Sequence, residues 1–141
     1  MEKRHQGSCH CGAVHFEATL DLSEGIRKCN CSYCFKTGYR KVFAYGDNLV
    51  VTRGLGHVAH YAADPSSWPA GEIDHCFCKA CGTQLFSRGK LEIAPFNGWF
   101  HAVNASVLDD VTPEELDRAP IIYEDGLHDR QQEVPALTGY L

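Results

Sequence analysis

The sequence predicts a small, mainly β domain organised around bound metal. Three observations carry that expectation. Short runs of alternating or β-branched residues recur between Gly, Pro, Asn and Asp. Eight cysteines fall into three tight groups, all within the first 81 residues. Only one stretch has the markings of a helix start. At 141 residues, 44% hydrophobic and 22% charged, the chain reads as a single domain over 1–141 with enough apolar side chains for a core.

The strands follow in order. "AVHFEATL" (13–20) alternates, with Val14, Phe16, Ala18 and Leu20 on one face and His15, Glu17 and Thr19 on the other. "NLVVTRG" (48–54), "HVAHYAA" (57–63), "EIDHCFC" (72–78), "TQLFSRG" (83–89), "KLEIAPF" (90–96) and "WFHAVNASVL" (99–108) read as further strands. In "DVTPEELDRA", Thr112 suits the N-cap, Pro113 the first helical position, and Glu115 completes a capping box, so one short helix is expected near 113–118. "PIIYEDG" (120–126) returns to a strand and a turn at Gly126.

The N-terminal "MEKRHQGSCHCG" has no apolar run of a secretory leader, and no stretch approaches the ~20 apolar residues of a membrane span. The expectation is a cytoplasmic protein with no membrane partner, whose thiols stay reduced. No heptad pattern marks an oligomer interface. Up to residue 90 the chain carries 11 Lys and Arg against 8 Asp and Glu; from 91 onward it carries 2 against 10. A zinc on four thiolates is net −2, so two such sites would take the formal charge from −5 to about −9. That balance weighs against nucleic acid as a partner, which calls for a concentrated basic surface.

Cys9, Cys11, Cys29, Cys31, Cys34, Cys76, Cys78 and Cys81 lie at C-x-C and C-x-x-C spacings. Such spacing brings neighbouring sulfurs onto one small ion, whereas disulfides between crowded clusters meet severe geometric demands. Thiolate-bound Zn²⁺, two per chain, is the cofactor expected. Cys11 and Cys81 are each followed by glycine, Gly12 and Gly82, which tolerates the left-handed backbone of a ligand-bearing turn. This pairs Cys9 and Cys11 with Cys78 and Cys81 as a closed structural site, whose binding energy is folding energy. Cys29, Cys31 and Cys34 remain as three ligands of a second zinc with a position open for chemistry. Cys76 has three open alternatives: a bystander, a fourth ligand of the second zinc, or a reactive thiol. Arg27, Lys28, Lys36, Arg40 and Lys41 flank the second cluster. They are either solvated loop residues or, with Arg27, Lys28 and Lys36 as candidates, contacts for the carboxylates of an anionic substrate.

"GSCHCGAVHFE", "KCNCSYC" and "FCKACGTQLF" together resemble the three signature segments of the glutathione-dependent formaldehyde-activating enzyme family, which includes the centromere protein V-type proteins. Order and spacing agree, with 17 residues between Cys11 and Cys29 and 41 between Cys34 and Cys76, and the resemblance covers about residues 7–126. It implies small twisted β-sheets of the Mss4-like fold. It also implies a structural zinc on Cys9, Cys11, Cys78 and Cys81, and a catalytic zinc on Cys29, Cys31 and Cys34. The activity implied is a carbon–sulfur lyase type: formation of S-hydroxymethylglutathione, with glutathione or another small thiol as partner. Two positions depart from the family pattern, which commonly has arginine where His75 stands and no cysteine where Cys76 stands.

The proton donor or substrate contact is sought among Tyr33, Tyr61 and His75. Phe96, Trp99 and Phe100 read as core or pocket wall, and His10, between two ligands, as outward-facing. Two other function classes stand beside the enzyme: a zinc-stabilised binding module with purely structural metals, and a metal or redox sensor using the Cys29–Cys34 cluster.

Overall fold

The structure, a computed structural model, describes residues 1–62 and 73–141. The strands are β1 (Lys3–Ser8), β2 (His15–Leu20), β3 (Ile26–Cys29), β4 (Lys41–Tyr45), β5 (Leu49–Arg53), β6 (Val58–Tyr61), β7 (Ile73–Cys78), β8 (Gln84–Leu91), β9 (Gly98–Asn104) and β10 (Ile121–Glu124). Among the described residues two short α-helices accompany them, α1 (Ser32–Thr37) and α2 (Pro113–Arg118). The strands form a small sheet, β1-β2-β5, and a larger one ordered β10-β3-β4-β9-β8-β7-β6. Among the described residues only the β10–β3 pairing is parallel. The mainly β architecture expected from the sequence is what forms.

Period-2 alternation decides which side chains meet. On β2, Phe16, Ala18 and Leu20, with Val14 just before it, are each at most 1% exposed, so the small sheet turns one apolar face inward. The larger sheet answers with Val42 and Ala44 of β4, Phe86 of β8 and Val103 of β9. The Phe16 and Phe86 rings meet edge to face at 5.4 Å across this core. The intervening residues, Phe43, Ser87 and Ala102, necessarily point to the opposite side of the same sheet. The larger sheet is thus a partition: one face builds the core and the other builds a cavity. The two sheets are also laced at one edge, where Asp109 N–H donates to the Gln6 carbonyl at 2.8 Å and buried His5 meets Asp110 at 3.1 Å.

Helix α2 has the expected capping box, with Thr112 and Glu115 satisfying each other's backbone N–H. Several features differ from the sequence reading. "KLEIAPF" is not a separate strand: β8 runs on to Leu91, and turns and bends occupy residues 92–96. β1, β3 and β4 form from stretches not read as strands. β1 is mostly polar and buries only His5 and Gly7, and β3 is four residues long with two charges, so neither offers an apolar period. Helix α1 was also unread, because its N-cap is Cys31, whose sulfur takes the place of the usual oxygen. Ala63 and Glu72, at the ends of two expected strands, lie outside the described residues.

His101 of β9 gives the fold an acid sensitivity. Its ring meets Phe86 edge to face at 5.8 Å, and its Nδ1 is buried without a hydrogen-bond partner among the described residues. Burial, with Arg88 adding to it, lowers its pKa to about 4. An unfolded histidine titrates near ~6.5, so the unfolded chain binds the proton first and stability falls as pH drops from ~6.5 towards about 4. Above that window the group is neutral in both states and contributes no pH dependence. His101→Leu is expected to flatten part of this loss, read as a smaller shift of the urea midpoint between pH 7 and pH 5.

Candidate metal centres and active site

Two knuckles build the first centre. In one, Gly12 N–H donates to the Cys9 carbonyl at 3.1 Å; in the other, Gly82 N–H donates to the Cys78 carbonyl at 2.7 Å. Both glycines have φ of +77°, which an L side chain rarely adopts. The tight turns swing Cys9, Cys11, Cys78 and Cys81 together, with all four sulfurs within 4.8 Å of one another. The Cys9–Cys11 and Cys11–Cys78 separations are 3.6 and 3.8 Å. Tetrahedral zinc with Zn–S bonds of about 2.3 Å requires edges of about 3.8 Å, so this donor set fits the ion. Val14 N–H points at Cys9 Sγ from 3.3 Å, and the Thr83 hydroxyl, 3.2 Å away, holds the Cys81 thiol down to about 5. The cluster joins the start of β2 to the end of β7, so it ties the small sheet to the large one.

The second centre sits on the far face of the larger sheet. Cys29 ends β3, Cys31 caps α1, and Cys34 lies in its first turn; the three sulfurs are within 4.8 Å of one another. Among the described residues no fourth cysteine, histidine or carboxylate joins them. Cys31 N–H and Cys34 N–H point at the sulfurs of Cys29 and Cys31, each at 3.4 Å. Negative charge settles on Cys31, whose pKa falls to about 2 through hydrogen bonds from Cys29 and Cys34, while Cys29, Cys31 and burial push Cys34 up. Three close sulfurs with converging N–H groups also suit thiolate-bound zinc.

These sulfurs open onto a cavity of about 700 Å³. Its aromatic wall is Phe43, Phe96 and Phe100, joined edge to face or tilted at 4.6–5.5 Å. Arg27, Lys41 and Lys90 bring positive charge to it. Burial depresses the Lys41 ammonium, but Cys34, Glu124 and Cys29 outweigh that and raise its pKa; its partner Glu124 is 2.8 Å away.

His75 of β7 faces the cavity and stacks on Tyr33 at 3.6 Å and 14°. A directed hydrogen-bond chain fixes its tautomer. The Ala102 carbonyl can only accept, so the Tyr39 hydroxyl donates to it. Ser87 then donates to Tyr39 Oη at 3.0 Å, and His75 Nδ1–H donates to Ser87 Oγ at 2.6 Å. This assignment leaves His75 Nε2 as the unprotonated nitrogen. Burial lowers the His75 pKa to about 4, keeping the ring neutral near pH 7, and burial also raises the Tyr33 phenol, keeping its proton.

Tyr33 and His75 therefore line the site, while Tyr61 stacks outside Tyr33 at 6.1 Å, half exposed and away from the cavity lining. Of the three expected cations, only Arg27 reaches the cavity. Lys28, next along β3, points to the other side by strand alternation, where its Nζ donates to the Leu141 carbonyl at 3.1 Å. Lys36 is exposed on α1 and does not line the cavity. Cys76 alternates away from His75 and lies with His60 and Asp74, not with Cys29, Cys31 and Cys34, so the fold does not build the fourth-ligand alternative. His10 is exposed, as expected.

The sequence reading missed the supports contributed by the segment after β10. Asn30 donates to Asp125 at 2.8 Å and accepts from Leu127 N–H at 2.9 Å, docking the cysteine loop on that segment. Cys29 Sγ lies 3.7 Å from Gln131 Oε1. A Cβ on Gly126 would run into Cys29 Sγ and come within 2.8 Å of Gln131 Nε2. No local pattern announces contacts across about a hundred residues. Gly126→Ala is expected to displace Cys29 and weaken zinc at this cluster by about 10–100-fold, the usual effect of disturbing a ligand's supports. Chelator competition measures it, with the first centre unchanged.

The chain is similar to known proteins in sequence and in fold. The profile of the family described as "Glutathione-dependent formaldehyde-activating enzyme" matches residues 4–125. A Halomonas elongata protein, whose name also refers to glutathione-dependent formaldehyde activation, is 29% identical over 126 residues, 84% of this chain and 74% of that one. A Rhodobacter sphaeroides protein of known crystal structure superposes with a TM-score of 0.64 at 28% identity, covering 83% of this chain and 99% of that one. Among the described residues no helix is long and apolar enough to cross a membrane.

Proposed function

Because the chain belongs to the glutathione-dependent formaldehyde-activating enzyme family, we propose that it is a zinc enzyme of the carbon–sulfur lyase type. Its reaction joins a small thiol such as glutathione to an aldehyde, or releases the two from their S-hydroxyalkyl adduct. The observation that carries this reading is the contrast in ligands: four sulfurs close the first centre, whereas three face the cavity in the second.

A zinc held by Cys29, Cys31 and Cys34 would leave its fourth position for the substrate sulfur and favour that sulfur as thiolate. His75, which lines the cavity, offers its unprotonated Nε2 to accept the thiol proton. As the sulfur attacks the carbonyl carbon and the C=O π pair moves onto oxygen, His75 returns that proton to the oxygen. The forward reaction therefore consumes no net acid or base. Tyr33, protonated and stacked on His75, holds the imidazole plane. Arg27 and Lys90 offer charge for the substrate's carboxylates. Lys41, paired with Glu124, offsets thiolate charge. The Phe43, Phe96 and Phe100 wall gives the cavity an apolar side against which the aldehyde's carbon chain can pack.

The test is an exchange experiment by NMR over a panel of thiols and aldehydes. The zinc-loaded protein is expected to accelerate interconversion for at least glutathione with one aldehyde. His75→Gln is expected to lower kcat by about 10²–10⁴-fold with little change in KM for the thiol. A protein that accelerates no pair would defeat the proposal.

A further inference from the structure

Strands β6 and β7 place one more set of donor atoms together. Register sets His60 directly opposite Cys76, and Asp74 lies two residues earlier on the same face of β7. Their donor atoms fall within 4.8 Å of one another: Cys76 Sγ is 3.6 Å from His60 Nδ1 and 3.7 Å from Asp74 Oδ2, and Nδ1 is 2.6 Å from Oδ2. Among the described residues β6 is the edge of the larger sheet, and the His60 and Asp74 side chains are 61% and 36% exposed, so an ion has a route in. Cys76 is fixed beneath them, 3% exposed.

Two chemistries use cysteine, histidine and aspartate together. A nucleophile relay passes the proton through the two different imidazole nitrogens, one facing the sulfur and the other the carboxylate. Here the same nitrogen, Nδ1, faces both, and the thiol is buried beneath its partners. Three donor atoms converging on a single point are instead the arrangement of metal ligands. Bond lengths of about 2.3 Å to sulfur and 2.0–2.2 Å to nitrogen and oxygen give tetrahedral edges of roughly 3.3–3.6 Å. The two sulfur edges already lie near that range, and an ion need only open the His60–Asp74 hydrogen bond.

We propose that His60, Asp74 and Cys76 form a third metal site, distinct from both cysteine clusters. Its mixed nitrogen, oxygen and sulfur donors suit a borderline divalent cation such as Zn²⁺ or Co²⁺, with the fourth position open to water. It has three donors and one thiolate where the four-sulfur centre has four thiolates, so it binds more weakly and exchanges faster. It does not depend on the proposed reaction.

Native mass spectrometry at zinc excess tests it directly. The unmodified protein is expected to hold three ions and His60→Ala two, with Asp74→Asn retaining the third only at higher zinc. Cobalt added to the two-zinc protein is expected to give a thiolate-to-cobalt charge-transfer band saturating at one equivalent, lost in both His60→Ala and Cys76→Ser. His60 is exposed, so its replacement keeps the test valid even where the buried Cys76→Ser variant fails to fold. Equal ion counts in the unmodified protein and His60→Ala, or a cobalt band that survives His60→Ala, would overturn the proposal.

Discussion

Cys34→Ser is expected to leave both sheets intact while removing one zinc equivalent and about 10³-fold of the thiol–aldehyde activity. Cys34 sits in the first turn of α1 with its sulfur beside Cys29 and Cys31, on the cavity side of the larger sheet. The inter-sheet core of Phe16, Phe86, Val42 and Val103 lies on the other side and does not include it. Serine keeps the size of the side chain but is a much poorer ligand for zinc than thiolate, leaving two sulfurs to hold the ion. Metal assistance contributes several kcal/mol to such reactions, and about 4 kcal/mol corresponds to roughly 10³-fold in rate. Circular dichroism, metal content and turnover on one preparation check all three parts. A variant with one zinc lost and full activity would place the chemistry elsewhere.

Cys78→Ser is expected to do the opposite and abolish folding. Cys78 is fully buried at the end of β7, and its cluster holds the Cys9 turn, and through it β2, to the larger sheet. Structural zinc in small domains contributes about 10–16 kcal/mol on binding, while a domain's net stability is about 5–15 kcal/mol. Losing one of four thiolates therefore removes a large share of what holds the two sheets together. The expected observation is loss of the cooperative thermal transition and of the sheet signal. Cooperative melting close to that of the unmodified protein, with metal content unchanged, would show that this cluster is not the clasp. The two serine variants differ because one ligand set joins two sheets and the other lines a cavity.

Legibility in the sequence follows how local each cause is. Alternation in residues 13–20 fixed the inner face of β2, because period 2 is a property of the strand alone. Gly12 and Gly82 identified the two knuckles, because a left-handed turn leaves its mark at one position. Helix α1 escaped because sulfur atoms cap it, and a cysteine is not read as a cap. Lys28 and Lys36 were grouped with Arg27 by closeness in sequence, yet one strand step separates the cavity from its back. The His75–Ser87–Tyr39 chain and the packing of Gly126 on Cys29 join residues far apart in the chain, and no local pattern carries them. Cys76 illustrates both sides: the alternation that separates it from His75 is readable, but its partner His60 comes from strand register.

A substrate sulfur is expected to complete the second centre and leave the first untouched. Cadmium-113 NMR of the cadmium-loaded protein measures this directly, since each centre gives its own resonance and the shift reports the number of sulfur ligands. The resonance missing in Cys34→Ser is expected to move towards the four-sulfur position on adding glutathione, while the resonance of the Cys9, Cys11, Cys78 and Cys81 centre stays fixed. If glutathione moves neither resonance, or moves only that of the four-cysteine centre, the Cys29, Cys31 and Cys34 centre does not take the substrate sulfur.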